Sequence, residues 1–104
     1  MRVAGLSLLA LVAITPASAQ FAKYGPDYVP DAPTAIAIAR AVSIPIYGTK
    51  LVDYEEPFTA TRRGDVWTVL GSLNCPPKHI CVGGTVEVTL SAKDGRILSV
   101  IHTE

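Results

Sequence analysis

The spacing of its apolar runs constrains this chain most tightly. Behind one helical stretch, strand-like runs follow one another at 50–54, 57–63, 66–73, 85–91 and 96–102. Parallel strands need a crossover of roughly a dozen residues or more, and the gaps between these runs fall short of that. Antiparallel pairing is therefore expected. Alternation is clearest at 85–91, with Val86, Val88 and Leu90 inward and Thr85, Glu87 and Thr89 outward. At 57–63, Phe58 and Ala60 share one face and Thr59 and Thr61 the other. At 66–73, Trp67, Val69, Gly71 and Leu73 line one side. The run at 50–54 is short and gives the weakest pattern. Arg63-Gly64-Asp65 reads as a turn and Asp94-Gly95 as a hairpin signal. The last run, 96–102, carries apolar residues on both faces.

One helix precedes these runs. Asp31 can accept from the free amides of a first turn, and its charge suits the positive helix end. Pro33 then falls where a missing N–H costs little. Ile36, Ala39, Val42 and Ile46, with Ala35 and Ser43 beside them, mark the stripe expected to be buried, whereas Arg40 lies off it and can reach water. Pro45 should clash with the carbonyl of Ala41, so a kink or stop is expected near Ser43 and Ile44. Gly48 can supply the left-handed residue that closes the last turn. The fold class read from these patterns is α+β: one N-terminal helix packed on a curved antiparallel sheet of four to five strands.

The start of the chain is not fold material. Arg2 precedes an apolar run at 3–14, Thr15 and Pro16 break it, and Ala17-Ser18-Ala19 places small residues where a signal peptidase cuts. Residues 1–19 read as a signal peptide cleaved before Gln20, because a bilayer span needs about 20 apolar residues. Residues 20–30 form an extended lead-in punctuated by Gly25-Pro26 and Val29-Pro30, from which Tyr24 and Tyr28 could still pack on the domain. Residues 31–104 form a single domain. The expected location is the periplasm or the exterior, with no stable membrane anchor after cleavage. The whole chain has nine basic and nine acidic residues, and Arg2 leaves with the leader. A slightly acidic product argues against nucleic acid as a partner, which would call for a basic face.

A domain this small needs help to be stable. Its only cysteines, Cys75 and Cys81, are in the exported portion, where an oxidising compartment favours a disulfide between them. The rival is a metal site that includes His79. Structural zinc pairs cysteines at about two to four intervening residues and takes four ligands. The gap here is longer and the ligands are too few, so the disulfide is the preferred reading and no metal is assigned.

No catalytic or cofactor-binding residue is assigned either. His79 and His102 fall in no catalytic spacing, and His102 reads as an exposed strand end. Glu55 and Glu56 are adjacent, so on a strand they would face opposite ways; a solvated loop is expected. Gly83-Gly84 lacks the strand–loop–helix context of a phosphate cradle and reads as a turn. Trp67 reads as a core anchor. The segment 74–84 differs in character: a disulfide would pinch Pro76-Pro77-Lys78-His79-Ile80 into a protruding bend, and a pre-organised bend loses less entropy on binding. Lys78, His79 and Ile80 are the candidate partner-binding residues. The same loop read only as a stabilising staple is the alternative.

An ordered set of segments carries a resemblance. Tyr28-Val29-Pro30-Asp31 leads into Thr34-Ala35-Ile36-Ala37-Ile38-Ala39, followed by Pro45-Ile46-Tyr47-Gly48, Pro57-Phe58-Thr59-Ala60 and Asp65-Val66-Trp67-Thr68-Val69. Gly71-Ser72-Leu73, Gly83-Gly84 and Asp94-Gly95-Arg96-Ile97-Leu98 complete it. The set resembles the bacterial immunity proteins named for a nuclear transport factor 2 fold. The resemblance implies a helix on a curved antiparallel sheet, no enzymatic activity, and a protein partner, a toxin to be neutralised; no cofactor is expected from the residues. The chain departs from that family's layout in having less helix before the sheet and in its Cys75–Cys81 loop. The helix-plus-hairpin ending at Leu98 also looks like the domains of peptidase propeptides, which makes a small protease-inhibitory or regulatory domain the alternative function.

Overall fold

The structure, a computed structural model, describes residues 27–104. The leader, its cleavage point before Gln20 and the lead-in through Pro26, Tyr24 included, lie outside the described residues. Helix α1 (Ala32–Tyr47) and a single turn, α2 (Thr49–Tyr54), precede four strands: β1 (Thr59–Arg63), β2 (Val66–Leu70), β3 (Val86–Ser91) and β4 (Ile97–His102). The strands form one open antiparallel sheet in the order β1-β2-β3-β4. The fold is α+β, as expected, with four strands.

Helix α1 starts where the capping residue dictates. The Thr34 amide donates to the Asp31 carboxylate at 2.9 Å, and proline follows in the first turn. Hydrogen bonding from Thr34, hydroxyl first and amide second, holds the Asp31 carboxyl below its ordinary range. Its contribution is therefore full above the unfolded-state pKa and fades as pH falls through the lower folded value.

The stop at Pro45, the burial of Ile46 and the closing conformation of Gly48 need correction. Pro45 does not stop it: the helix runs on to Tyr47 and closes with the Gly48 amide on the Ile44 carbonyl at 2.7 Å. Ala41, whose carbonyl loses its partner to Pro45, lies on the exposed side, where water can serve it. Ile46 is exposed, because the buried row is Ala35, Ala39 and Ser43 at every fourth position, and that row continues to Tyr47. Gly48 has the expected positive φ of 91°, but its ψ of 149° lies outside the left-handed helical region. The Ser43 hydroxyl is buried without a partner among the described residues.

The run at 50–54 is a helical turn rather than a strand. Gly48 redirects the chain, Val52 packs into the core and its amide returns to the Gly48 carbonyl at 3.2 Å. Arg40 holds the turn against α1: it pairs with Asp53 at 2.7 Å and with Glu56, and its guanidinium lies 6.0 Å from the Phe58 ring centre.

The sheet's inner face supplies most of the core. Val69, Val86, Val88 and Leu90 are fully buried, with Trp67 and Phe58 nearly so. Both β1 and β3 alternate as read, although Thr85, just ahead of β3, is buried. In β4 a bulge opposite Thr89 and Leu90 sets Leu90 against Ile97 and Val88 against Val100. The extra residue, Leu98, lets Ile97 and Val100 both face the core despite their odd spacing. Strand β2 stops at Leu70, and Leu73, expected inward, is exposed. Tyr28 is exposed while its neighbour Val29 is buried: the Val29 amide donates to the Ala92 carbonyl at 3.0 Å, and its carbonyl accepts from the Trp67 indole at 2.9 Å. The indole is thereby satisfied within the core.

Candidate functional site

The long connection between β2 and β3 holds the cysteine loop. Cys75 and Cys81 are disulfide-bonded with their Cα atoms 5.9 Å apart, so neither sulfur remains as a thiolate to ligate a metal. Inside the bridge the His79 amide donates to the Pro76 carbonyl at 3.2 Å and closes a β-turn over Pro77 and Lys78. The His79 ring braces the same turn, its Nδ1 lying 3.1 Å from the Pro77 carbonyl. Lys78, His79 and Ile80 are all exposed. Ile80 and Val82 stand out at 97% and 91% exposure. An aliphatic side chain so fully in water gains nothing from folding.

The loop is exposed at its tip and bonded to the domain at its base. On the entering side the Ser72 amide donates to the Glu55 carbonyl at 2.7 Å, and the Asn74 side-chain amide donates to the Tyr54 carbonyl. On the leaving side the Val86 amide donates to the Glu55 carboxylate at 2.8 Å. The Thr85 amide donates to the Thr103 hydroxyl at 3.0 Å, and the Thr103 amide to the Thr85 carbonyl at 3.0 Å. Glu55 therefore grips both ends of the loop, one with its backbone and one with its side chain.

Glu55 is only 5% exposed. Its second carboxylate oxygen lies 3.1 Å from His102 Nε2, which donates to it, and the His102 ring stacks obliquely with Tyr47 at 5.7 Å. The expectation of a solvated loop fails for Glu55, and that of an exposed strand end fails for His102, which is half-buried. Glu56 does point away from Glu55, toward Arg40. Two glycines make room for this junction: a Cβ on Gly71 would run into the Glu55 carboxylate, and one on Gly84 into the Thr103 backbone. Sequence reasoning missed the junction because adjacent acids just before a proline look like solvent-facing residues. The one available signal was Gly71, a glycine within a run read as a strand.

A buried carboxylate beside an imidazole invites a catalytic reading, but both Glu55 oxygens are engaged by the fold itself. An open depression of about 370 Å3 is lined by Thr61, Arg63 and Thr68. It lies on the sheet face opposite the helix, whereas His102 pairs with Val86 on the helix side. The depression and the acid–imidazole pair do not meet. Among the described residues, no group of three or more potential ligands could hold a metal ion, and no helix is long and apolar enough to cross a membrane.

A family model described as NTF2 fold immunity protein matches residues 34–104. No curated protein and no solved structure matches the chain.

Proposed function

The chain belongs to the NTF2 fold immunity proteins, and from that premise we propose that it is an exported, non-catalytic binding protein that neutralises a toxin acting at the cell envelope. The leader at 1–19, with cleavage before Gln20, supports export to the periplasm or beyond. The Cys75–Cys81 bond supports the same compartment. Neutralisation then proceeds by occupancy: the immunity protein covers a surface the toxin needs.

The contact site in this reading is the stapled bend, with Lys78, His79 and Ile80 facing the toxin. The observation that carries it is the near-complete exposure of Ile80, and of Val82 just beyond the bridge, on a loop whose freedom is already reduced. Apolar side chains held in water by a covalent staple bury their surface only when something docks on them.

The reading is tested by survival. Cells lacking the gene should die when challenged by kin that deliver the neighbouring toxin. The wild-type gene should restore survival, and a variant with Ser at positions 78, 79 and 80 should fold but fail to restore it. Unchanged survival on deletion, with every neighbouring toxin intact, removes the immunity role. Full rescue by the triple variant removes the loop as the contact site. A pull-down that yields a peptidase and no toxin favours the propeptide-like alternative.

A further inference from the structure

Three residues of the connection between β2 and β3 have positive φ: Asn74 at 53°, Lys78 at 67° and Gly83 at 100°. Two of these positions hold residue types that tolerate it. Glycine has no Cβ to clash, and asparagine enters the left-handed region more readily than most residues. Asn74 also uses its side chain there, on the Tyr54 carbonyl. Lys78 has neither excuse. It is the third residue of the turn closed by the His79 amide on the Pro76 carbonyl, the position of a type II turn that takes glycine or asparagine. A long side chain there is strained, and strain held in place by surrounding structure is a pointer to function.

The surroundings do hold it. The disulfide closes the bend, Pro77 sets the turn, and the His79 ring bonds the Pro77 carbonyl. His79 thereby braces the turn as well as standing exposed beside Lys78. The Lys78 ammonium forms no ion pair among the described residues, and residues 74–84 include no acid to neutralise it. On either side of the bridge's second cysteine stand the exposed Ile80 and Val82. The tip is one unneutralised cation beside two aliphatic groups, on a chain of nearly balanced charge.

Resting on the loop reading above, we propose that Lys78 is the ionic anchor of the loop, and that the toxin surface it meets is an apolar depression rimmed by a carboxylate. Ile80 and Val82 fill the depression, and Lys78 pairs with the acid at its edge. A charge-assisted contact of this kind fixes orientation and rejects partners without the acid.

The test uses the full exported chain and, as probe, the purified toxin encoded beside its gene. Lys78→Gly removes both the strain and the charge, Lys78→Met removes the charge alone, and Lys78→Arg keeps it. Lys93→Met, at an exposed site by the β3–β4 turn, controls for net charge. Lys78→Gly should raise the thermal midpoint by about 2–4 °C, the relief of strain being partly offset by the extra freedom of glycine in the unfolded chain. Lys78→Gly and Lys78→Met should each weaken binding by about 10- to 100-fold and flatten its salt dependence. Lys78→Arg and Lys93→Met should bind within about threefold of wild type.

Wild-type affinity and salt dependence in Lys78→Gly and Lys78→Met overturn the ionic anchor. If the variant with Ser at 78, 79 and 80 still loses binding in that assay, the loop reading survives alone. If it binds normally, both fall. No binding by the wild-type chain removes the reading on which both rest. A midpoint unchanged or lowered in Lys78→Gly overturns the strain that singles the residue out.

Discussion

The inner face of the sheet and the cysteine loop are held by opposite means. Val69, Val86, Val88 and Leu90 are fully buried beneath α1 and are held by packing. Residues 74–83 are exposed throughout, and a disulfide and a few backbone hydrogen bonds give them their shape. Burial makes the first region stable and intolerant of change. The second can change its side chains freely, because folding takes little from them. A protein that must recognise one partner gains from this separation: its contact residues vary without unfolding the support. Glu55 stands where the two regions join, with its carboxylate on the first residue of β3 and its carbonyl on the entrance to the loop.

The comparison breaks most easily in the core. Leu90→Ala empties the largest fully buried side chain and should cost about 3 kcal/mol, read as a lower midpoint in denaturant. A loss under about 1 kcal/mol would mean that the sheet does not carry the stability assigned to it.

The junction sharpens the comparison. Glu55→Ala strands the Val86 amide and the His102 ring, and should cost about 2 kcal/mol. Hydrogen exchange should rise most at Val86, which loses the carboxylate, and less at Ser72, whose partner is the retained Glu55 carbonyl. An equal rise at both would show that the carboxylate also sets the position of its own backbone.

The smallest effect on stability belongs to the bridge. Chain entropy assigns a loop this short about 2 kcal/mol, but that figure assumes a native loop that stays fixed once reduced. Here the tip rests mainly on its own turn, so reduction frees it in the folded state as well, and the two gains partly cancel. Replacing Cys75 and Cys81 with Ser should therefore cost less than about 2 kcal/mol while weakening binding to the proposed toxin partner more than tenfold. A full loss of fold on reduction would show the loop to be a structural staple.

Much of the supporting region was legible in the chain, and much of the junction was not. The Asp31 cap, the inward trio of Val86, Val88 and Leu90, and the turns at Gly64 and Gly95 each depend on residues within a few positions of one another. The disulfide followed from two cysteines in a segment read as exported. Misreadings clustered where the chain leaves regular structure. The stretch 50–54 has too few residues to show a period, and its helical turn is seen only where Val52 packs into the core. Leu73 looked like the end of a strand because apolar pattern alone does not say where a ladder stops. The sequence pattern places Ile46 in the buried stripe, and the direction of the buried row puts Tyr47 there instead.

The amino-acid sequence by itself determined the class of fold, the antiparallel pairing, the bridge and the loop that carries the candidate contacts. These rest on local periodicity, turn chemistry and chain length, all of which act over short stretches. Tertiary structure alone decided that Glu55 is buried. Its partners Val86 and His102 lie 31 and 47 positions further on. A carboxylate enters a protein interior only when donors are already waiting there. Whether they are is a property of the assembled sheet, not of the residues on either side of the acid.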